Sequence, residues 1–591
     1  MATDQQAAGG SSVPVSEVYW SLVAKADKKF SKIRELPYYE RNRYDTYFGK
    51  VFKVYTRLWK FQQENRQKLV EAGVKRWEIG EIASRIAQLY YGQYMRTSDG
   101  NYLSESYVFY EAILYREYFK DGMYQNLNLV NKQLRFLARF LMICLVMNRR
   151  EMVHQLVSHL KMMIDECRRT FQETDFKEWK LLVQEIIRFL KADSTFMNIR
   201  PLRYSIVLDP DPDKLPKIVG KKNLRLRDAI LCSYYHNEIK FSDLSLDTFR
   251  ILQCLEWEPS GSFYQSTMNS SPIDGQGANR LSFLNGIQDI TLPANPRKAV
   301  LYHPSVTRFL AVLGTMCEEL PLDGILLIYL SASARSGSTF PLPPVGETLT
   351  TSMETSDPTS SPLNFPDDQS PGRHSSKECL DFGIQGNGVA NSIYPSDLVP
   401  FTRRPLFIII DSDGSDAFKR INESEKGDPA AILLSPICSV SFPSSDSSRY
   451  HNGSVFTTFL TAPLQAFCLL LNLTSSEIKM EIYEAAEKLL SSSFTEWGSV
   501  LTASSDLHPV WSQCLNDPFL RRIVLRFVFC RGVLSLHESS FGKKEFHPEC
   551  LPPLPEFLLP TTSQLQVLVL QLANLFKAAK QFIISEELII C

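Results

Sequence analysis

The sequence predicts a chain of α with α/β class: an N-terminal tetratricopeptide-like helical-hairpin array, then an α/β module with a small mostly parallel sheet, then a helical C-terminal tail. Three observations predict it. Apolar residues recur at spacings of three and four almost without a break from residue 16 to about 192. Three uninterrupted apolar runs follow, GILLIYLSA (324–332), PLFIIID (405–411) and AAILLSP (430–436), each leaving on a small or polar turn. Strands buried on both faces of a parallel sheet read this way. Helical spacing then returns from about residue 456.

In the array, Ile79, Ile82, Ile86, Leu89 and Tyr90 form one apolar stripe, TSDGN (97–101) ends it, and Tyr102, Tyr107, Tyr110 and Ile113 begin a second. The stretch at 134–165 repeats the theme with NRR as its turn, which makes the array of unequal hairpins. Residues 1–15 are small and polar and are expected to be disordered; 16–200 form the helical-hairpin domain. Residues 201–256 read as a connecting segment and 257–297 as a flexible insert rich in Gly, Ser, Asn and Pro. The α/β module comprises 298–335 and 399–475, interrupted by a disordered Ser/Pro-rich insert at 336–398. Within the module, 305–320 fits a crossover helix. The C-terminal helical region, 476–591, carries FLRRIVLRFVFCRGVLSLH (519–537) and a second apolar stretch at 563–584, both expected to be amphipathic.

At 591 residues the chain exceeds a single core, and a formal net charge of −1 gives no global attraction to nucleic acid or membrane. No apolar run reaches the roughly 18–20 residues that span a bilayer. The start has no basic segment followed by an apolar one, so no secretory signal is expected. Twelve cysteines are scattered without a CxxC pair, which fits a compartment that keeps thiols reduced.

The turn after PLFIIID, with Asp411, Ser412, Asp413 and Gly414, is where chemistry is sought first. Asp411 or Asp413 would serve as a metal carboxylate or base, or Ser412 as a nucleophile. No second acidic cluster stands at the other strand ends, and no G-x-S-x-G, phosphate loop or GxGxxG is present. The structural alternative makes these four residues a turn, with Asp411 capping a helix that starts near Ser415. A caspase-like layout would put a His-Gly pair after one strand and Cys after the next; Ser331-Ala332 and Asp411-Ser412 occupy those places. No His or Cys set has zinc spacing, since His547-Pro-Glu-Cys550 lacks a partner pair. The expectation is therefore no catalytic residue, no cofactor, no metal and no small-molecule substrate.

One charge asymmetry stands out. Residues 25–76 carry fifteen Lys and Arg against six Asp and Glu, with aromatics interleaved. Lys50, Lys53, Arg57, Lys60, Arg66, Lys75 and Arg76 are the candidate residues for nucleic-acid or partner binding, with single-stranded DNA as the nucleic acid. Against this, Phe52, Tyr55 and Trp59 fall at core spacing, which would leave the lysines merely solvating an outer face.

RLWKFQQENRQKL (57–69), the stretch at 75–113, and PLFIIIDSDGS resemble the suppressor of cancer cell invasion (SCAI) family. So do SASA after LLIYL, FTRRPLF (401–407) and FLRRIVLRFVF. The resemblance runs from about residue 16 to 535 and is densest over 52–113. It implies a non-enzymatic nuclear scaffold, with a cytoplasmic pool as an alternative location. It further implies nuclear protein partners: repression of a myocardin-related transcription coactivator, double-strand-break repair and fork protection, with single-stranded DNA binding. The competing readings are a hydrolase near Asp411 and Ser412, and a cytosolic signalling adaptor.

Overall fold

The computed structural model describes residues 14–36, 41–120, 126–171, 176–193, 224–256, 295–336, 377–384, 391–423, 430–438, 452–473, 478–560 and 562–584. Residues 1–13, residues 201–223 of the expected connecting segment, most of the insert at 257–297 and the greater part of that at 336–398 lie outside them.

Eight helices open the chain: α1 (Val15–Glu35), α2 (Arg41–Glu64), α3 (Arg66–Glu71), α4 (Arg76–Thr97), α5 (Gly100–Tyr115), α6 (Leu127–Val146), α7 (Arg150–Thr170) and α8 (Lys177–Asp193). They pack as neighbours in sequence, α1 on α2, α4 on α5 and α6 on α7, as short connections dictate. The TSDGN turn works as its residues suggest. Ser98 ends α4 in the left-handed region, at φ 58°, and the Asp99 side chain caps α5 by accepting the Asn101 N–H at 2.9 Å. Asn148 plays the Ser98 part between α6 and α7, at φ 56°.

The sheet holds eight strands: β1 (Arg225–Tyr234), β4 (Arg297–Tyr302), β5 (Gly324–Ser336), β6 (Lys377–Asp381), β7 (Ser392–Ile393), β8 (Leu406–Asp411), β9 (Ala431–Leu434) and β10 (Glu549–Leu551). A separate hairpin pairs β2 (Lys240–Phe241) with β3 (Leu244–Ser245). Across the main path the order is β10-β9-β8-β5-β1-β4. All neighbours among β4, β1, β5, β8 and β9 run parallel, while β10 joins the edge antiparallel. β6 and β7 extend the far end of β5 as an antiparallel flap. The apolar runs are continuous because both sheet faces are covered. Ile325, Leu327 and Tyr329 of β5 face one core, Leu326, Ile328 and Leu330 the other.

The second face is closed by α10 (Val306–Glu319), the expected crossover, capped by Ser305 accepting the Arg308 N–H at 3.2 Å. The first face carries α9 (Leu246–Cys254), α11 (Val455–Thr461), α12 (Pro463–Leu470), α13 (Met480–Ala503), α14 (Pro509–Cys514), α15 (Pro518–Leu536) and α16 (Ser563–Leu575). The same apolar core runs on into the N-terminal array.

Several boundaries therefore move. The stretch at 201–256 is more than a connection, since it supplies the central strand β1 and helix α9. Its charged beginning, Arg225 and Arg227 exposed with Leu226 buried, masks a run that is fully buried from Asp228 to Ser233. The insert at 336–398 contributes β6, β7 and a helical turn at Pro395–Leu398. The C-terminal region is not a tail: β10 completes the sheet and α15 is central.

α15 also corrects the expected amphipathicity. Every residue from Phe519 to Leu536 except Arg531 is buried. Three arginines are carried inside, Arg521, Arg522 and Arg526, and the guanidinium groups of two of them find carbonyl oxygens. Arg526 Nη1 donates to Leu460 and Thr461 at 3.0 and 2.6 Å, closing the C-terminal end of α11, and Arg521 Nη1 donates to Leu515 at 3.2 Å. No described helix is long and apolar enough to cross a membrane.

Candidate functional site

Two places answer to the sequence: the carboxyl ends of the parallel strands and the basic face of α2.

At the strand ends, Ser233, Ser331 and Asp411 lie in register on β1, β5 and β8. Asp411 is buried, and its Oδ2 accepts the Thr457 hydroxyl at 2.6 Å. Since Thr457 gives its proton there, the Tyr329 hydroxyl, 2.8 Å away, donates to Thr457. Burial first, then the Asp411 charge, pushes the Tyr329 phenol well above its ordinary range. Asp411 therefore ties β8 to α11 and β5, and does not cap the following segment as expected. That segment is a 3₁₀ turn, Ser415–Lys419, without a side-chain cap.

The turn itself is held by its other members. Ser412 Oγ accepts the Gly414 N–H at 3.1 Å, and Asp413 Oδ1 accepts the Ala334 N–H of β5 at 2.7 Å. Ser435 exchanges hydrogen bonds with the Ser412 backbone, N–H at 2.9 Å and carbonyl at 3.0 Å, locking β9 to β8. Ser412 is thus engaged within the turn, its hydroxyl has Asp413 at 3.5 Å, and among the described residues no hydrogen bond joins it to an imidazole. The caspase-like places are adjacent strand ends, as that layout requires, but they hold Ser331, Ala332, Asp411 and Ser412. Among the described residues no group of three or more His, Cys, Asp or Glu is placed to hold a metal.

A consequence is measurable. Asp411→Ala leaves the buried Thr457 hydroxyl without its acceptor, and urea unfolding should show a loss of about 1–3 kcal/mol. Asp411→Asn, which keeps a carbonyl oxygen, should lose less.

Beside this turn lies a cavity of about 300 Å³. Its wall comes from the segments after four strands: Tyr235 and Glu238 after β1, Ser333 on β5, Asp413 after β8 and Ile437 after β9. Val455, Phe456 and Leu534 close it from α11 and α15. One part of this wall went unread in the sequence because β1 itself did, so Tyr235, His236 and Glu238 had no strand end to stand on.

On the other surface, Lys50, Lys53, Arg57, Lys60, Arg66, Lys75 and Arg76 are all exposed. The first four are spaced by three and four on α2 and form one outward stripe. Lys53, Arg57 and Lys60 border a shallow open groove with Phe52, Phe61 and Glu64. Arg66 stands at the start of α3. Lys75 and Arg76 begin α4, where the Lys75 N–H donates to Glu78 at 2.8 Å and Arg76 Nη2 donates to the Arg116 carbonyl at 2.7 Å.

The aromatics turn the other way. Tyr55 is fully buried, Phe52 meets Tyr90 edge-on at 5.1 Å, and Trp59 meets Phe109 at 5.7 Å. Burial pushes the Tyr90 phenol up to about 12, with Glu105 and Tyr102 adding to it. Both halves of the composition are explained by one amphipathic helix: rings inward, cations outward. Tyr44 and Tyr55 are spent on the core, while the half-buried Phe52 and Phe61 also border the groove.

Residues 21–541 match the family described as Protein SCAI. The chain is 34% identical to human Protein SCAI over 574 residues, covering 95% of this chain and 88% of that protein. This chain belongs to the Protein SCAI family. The mouse Protein SCAI is 35% identical over the same coverage, and the Protein SCAI homolog of Dictyostelium discoideum is 28% identical over 715 aligned positions, 96% of this chain and 91% of that one. No solved structure matches the chain. The SCAI match spans nearly all of the array, the parallel strands and α15, and stops short of β10.

Proposed function

We propose that this chain is a non-enzymatic nuclear scaffold of the SCAI type. It acts in DNA double-strand-break repair and fork protection and in transcriptional corepression, through contacts with nuclear proteins. The outward stripe of α2 contacts nucleic acid through phosphates. The single observation carrying this reading is the division of α2, whose cations stand free of the core while its rings do not. Family membership supports it, and so does the strand-end turn, whose carboxylates and hydroxyls are engaged in holding strands together.

Because the exposed side chains of the stripe are cations and its rings are buried or half-buried, contact is chiefly with the backbone of the nucleic acid. Lys53, Arg57 and Lys60 are the residues of the stripe that carry it, with Lys50 at its end.

The test is proximity labelling of the endogenous protein with and without DNA damage, combined with nuclear and cytosolic fractionation. Damage-dependent labelling of repair factors in the nuclear fraction is expected. Labelling confined to cytosolic signalling proteins would instead favour an adaptor role, and turnover of any hydrolysable substrate abolished by the folded Asp411→Asn variant would favour a hydrolase.

A further inference from the structure

We propose that the strand-end cavity is a binding pocket for an organic cation, an ammonium or guanidinium group on an apolar stem. The pocket is separate from the α2 stripe and does not depend on nucleic-acid contact.

Its position comes first. In chain order the parallel strands are β1, β4, β5, β8 and β9, but in the sheet β1 lies between β4 and β5. The winding reverses there, and the crevice at the carboxyl ends beside such a reversal is where open α/β sheets take ligands. At about 300 Å³ the cavity is at the small end of ligand pockets, suited to one side chain or a small amine.

Its chemistry comes second. Glu238, Asp411 and Asp413 supply carboxylates from two separate strand ends, and no Lys or Arg is among the described wall residues. Each is held in place by a contact of its own. Glu238 Oε1 accepts the Tyr235 N–H at 3.0 Å, Asp411 the Thr457 hydroxyl at 2.6 Å, and Asp413 the Ala334 N–H at 2.7 Å. The opposite wall, Val455, Phe456 and Leu534, is buried and apolar. Acidic and apolar residues lining one cavity fit a ligand with a positive head and an aliphatic stem, and the aromatic residues Tyr235 and Phe456 are among the lining. An anion is repelled by the same wall.

The experiment is calorimetric titration of the full chain with four probes. Agmatine presents a free guanidinium; acetyl-Gly-Arg-Gly-amide presents it on a peptide; the citrulline peptide is its neutral isostere; glutarate is the anion. Saturable binding of agmatine or the arginine peptide is expected, at least about tenfold tighter than the citrulline peptide, with none of glutarate. Tighter agmatine identifies a free cation as ligand, and the tighter peptide identifies a partner's basic side chain. Glu238→Gln should weaken the preferred cation about tenfold, and Val455→Trp should abolish it by filling the cavity. If Val455→Trp does not fold, the partly exposed Glu238→Gln decides. Absence of saturable cation binding, equal binding of citrulline, or affinity unchanged by Glu238→Gln would overturn the proposal.

Discussion

Lys298→Met should destabilise the protein by about 3–5 kcal/mol, the loss expected when one member of a buried ion pair is removed. Glu256 and Lys298 are both buried, with Lys298 Nζ 2.8 Å from Glu256 Oε1. The same oxygen accepts the Tyr94 hydroxyl of α4 at 2.5 Å, and Oε2 accepts Asn295 Nδ2 at 3.0 Å. Lys298 adds its own N–H to Ser98 Oγ at 3.1 Å and its Nζ to the Pro296 carbonyl at 3.0 Å. This knot joins the α4–α5 turn of the array to the start of β4, and Gln253 of α9 adds a bond to the Val146 carbonyl at the end of α6, 3.0 Å away. Removing the lysine strands a carboxylate where water does not reach. The double variant Lys298→Met, Glu256→Gln should recover much of the loss, because no unpaired charge remains buried. Urea unfolding of the three proteins measures both effects. A single-variant loss below about 1 kcal/mol, the scale of an exposed pair, would contradict the role given to this knot.

Asp517→Ala should have an effect of similar size for a different reason. Asp517 Oδ1 accepts the Phe519 and Leu520 N–H groups at 2.9 and 3.1 Å, capping α15, while Oδ2 accepts the Leu226 N–H of β1 at 2.9 Å. One buried carboxylate thus fixes the central helix to the central strand. Alanine orphans three N–H groups, each worth about 1–3 kcal/mol when left unsatisfied and buried. A total of about 3–5 kcal/mol is expected after local relaxation. Asparagine keeps one acceptor oxygen and should lose roughly 1–2 kcal/mol, since its amide faces the third donor.

Burial raises the Asp517 carboxyl above its ordinary range, against the lowering effect of its three N–H donors and of Arg225. A carboxyl raised on folding adds most stability in acid, below its unfolded pKa, and loses that contribution as pH rises through the folded value. The deficit of Asp517→Asn should therefore be greatest below pH of about 4 and shrink to its neutral-pH size above the folded pKa. A deficit that grows with pH would contradict this assignment.

Where local pattern and tertiary role agree, the sequence was readable. The α4 stripe, its TSDGN stop, the crossover α10 and the strands β5, β8 and β9 follow from spacing and continuous apolar runs. β1 was not readable, because Arg225, Arg227 and Asp228 interrupt its apolar run while their pairing partners, Asp323 and Arg297, are remote in sequence. α15 misled for a related reason. Its arginines suggest a wet face, and only the carbonyl ends of other helices reveal why they are inside. At the candidate sites, the division of α2 was legible as two competing periodicities, whereas the cavity was hidden with β1. Asp411 was recognised as structural, but its partner, Thr457, lies on a helix packed from another part of the chain.

The most direct test of surface contact through α2 is the salt dependence of single-stranded DNA binding by the full chain and by Lys53→Gln, Arg57→Gln, Lys60→Gln combined. Fluorescence anisotropy with a labelled oligothymidylate across a salt series gives the slope of log affinity against log salt. Each phosphate contact contributes about 0.7 to that slope on a single strand, so removing three cations should reduce its magnitude by roughly 2 while the fold is kept. Exchanging the thymidylate for a mixed sequence should leave affinity nearly unchanged, since phosphate contacts carry no sequence information. No binding at low salt, or an identical slope in the variant, would contradict the account.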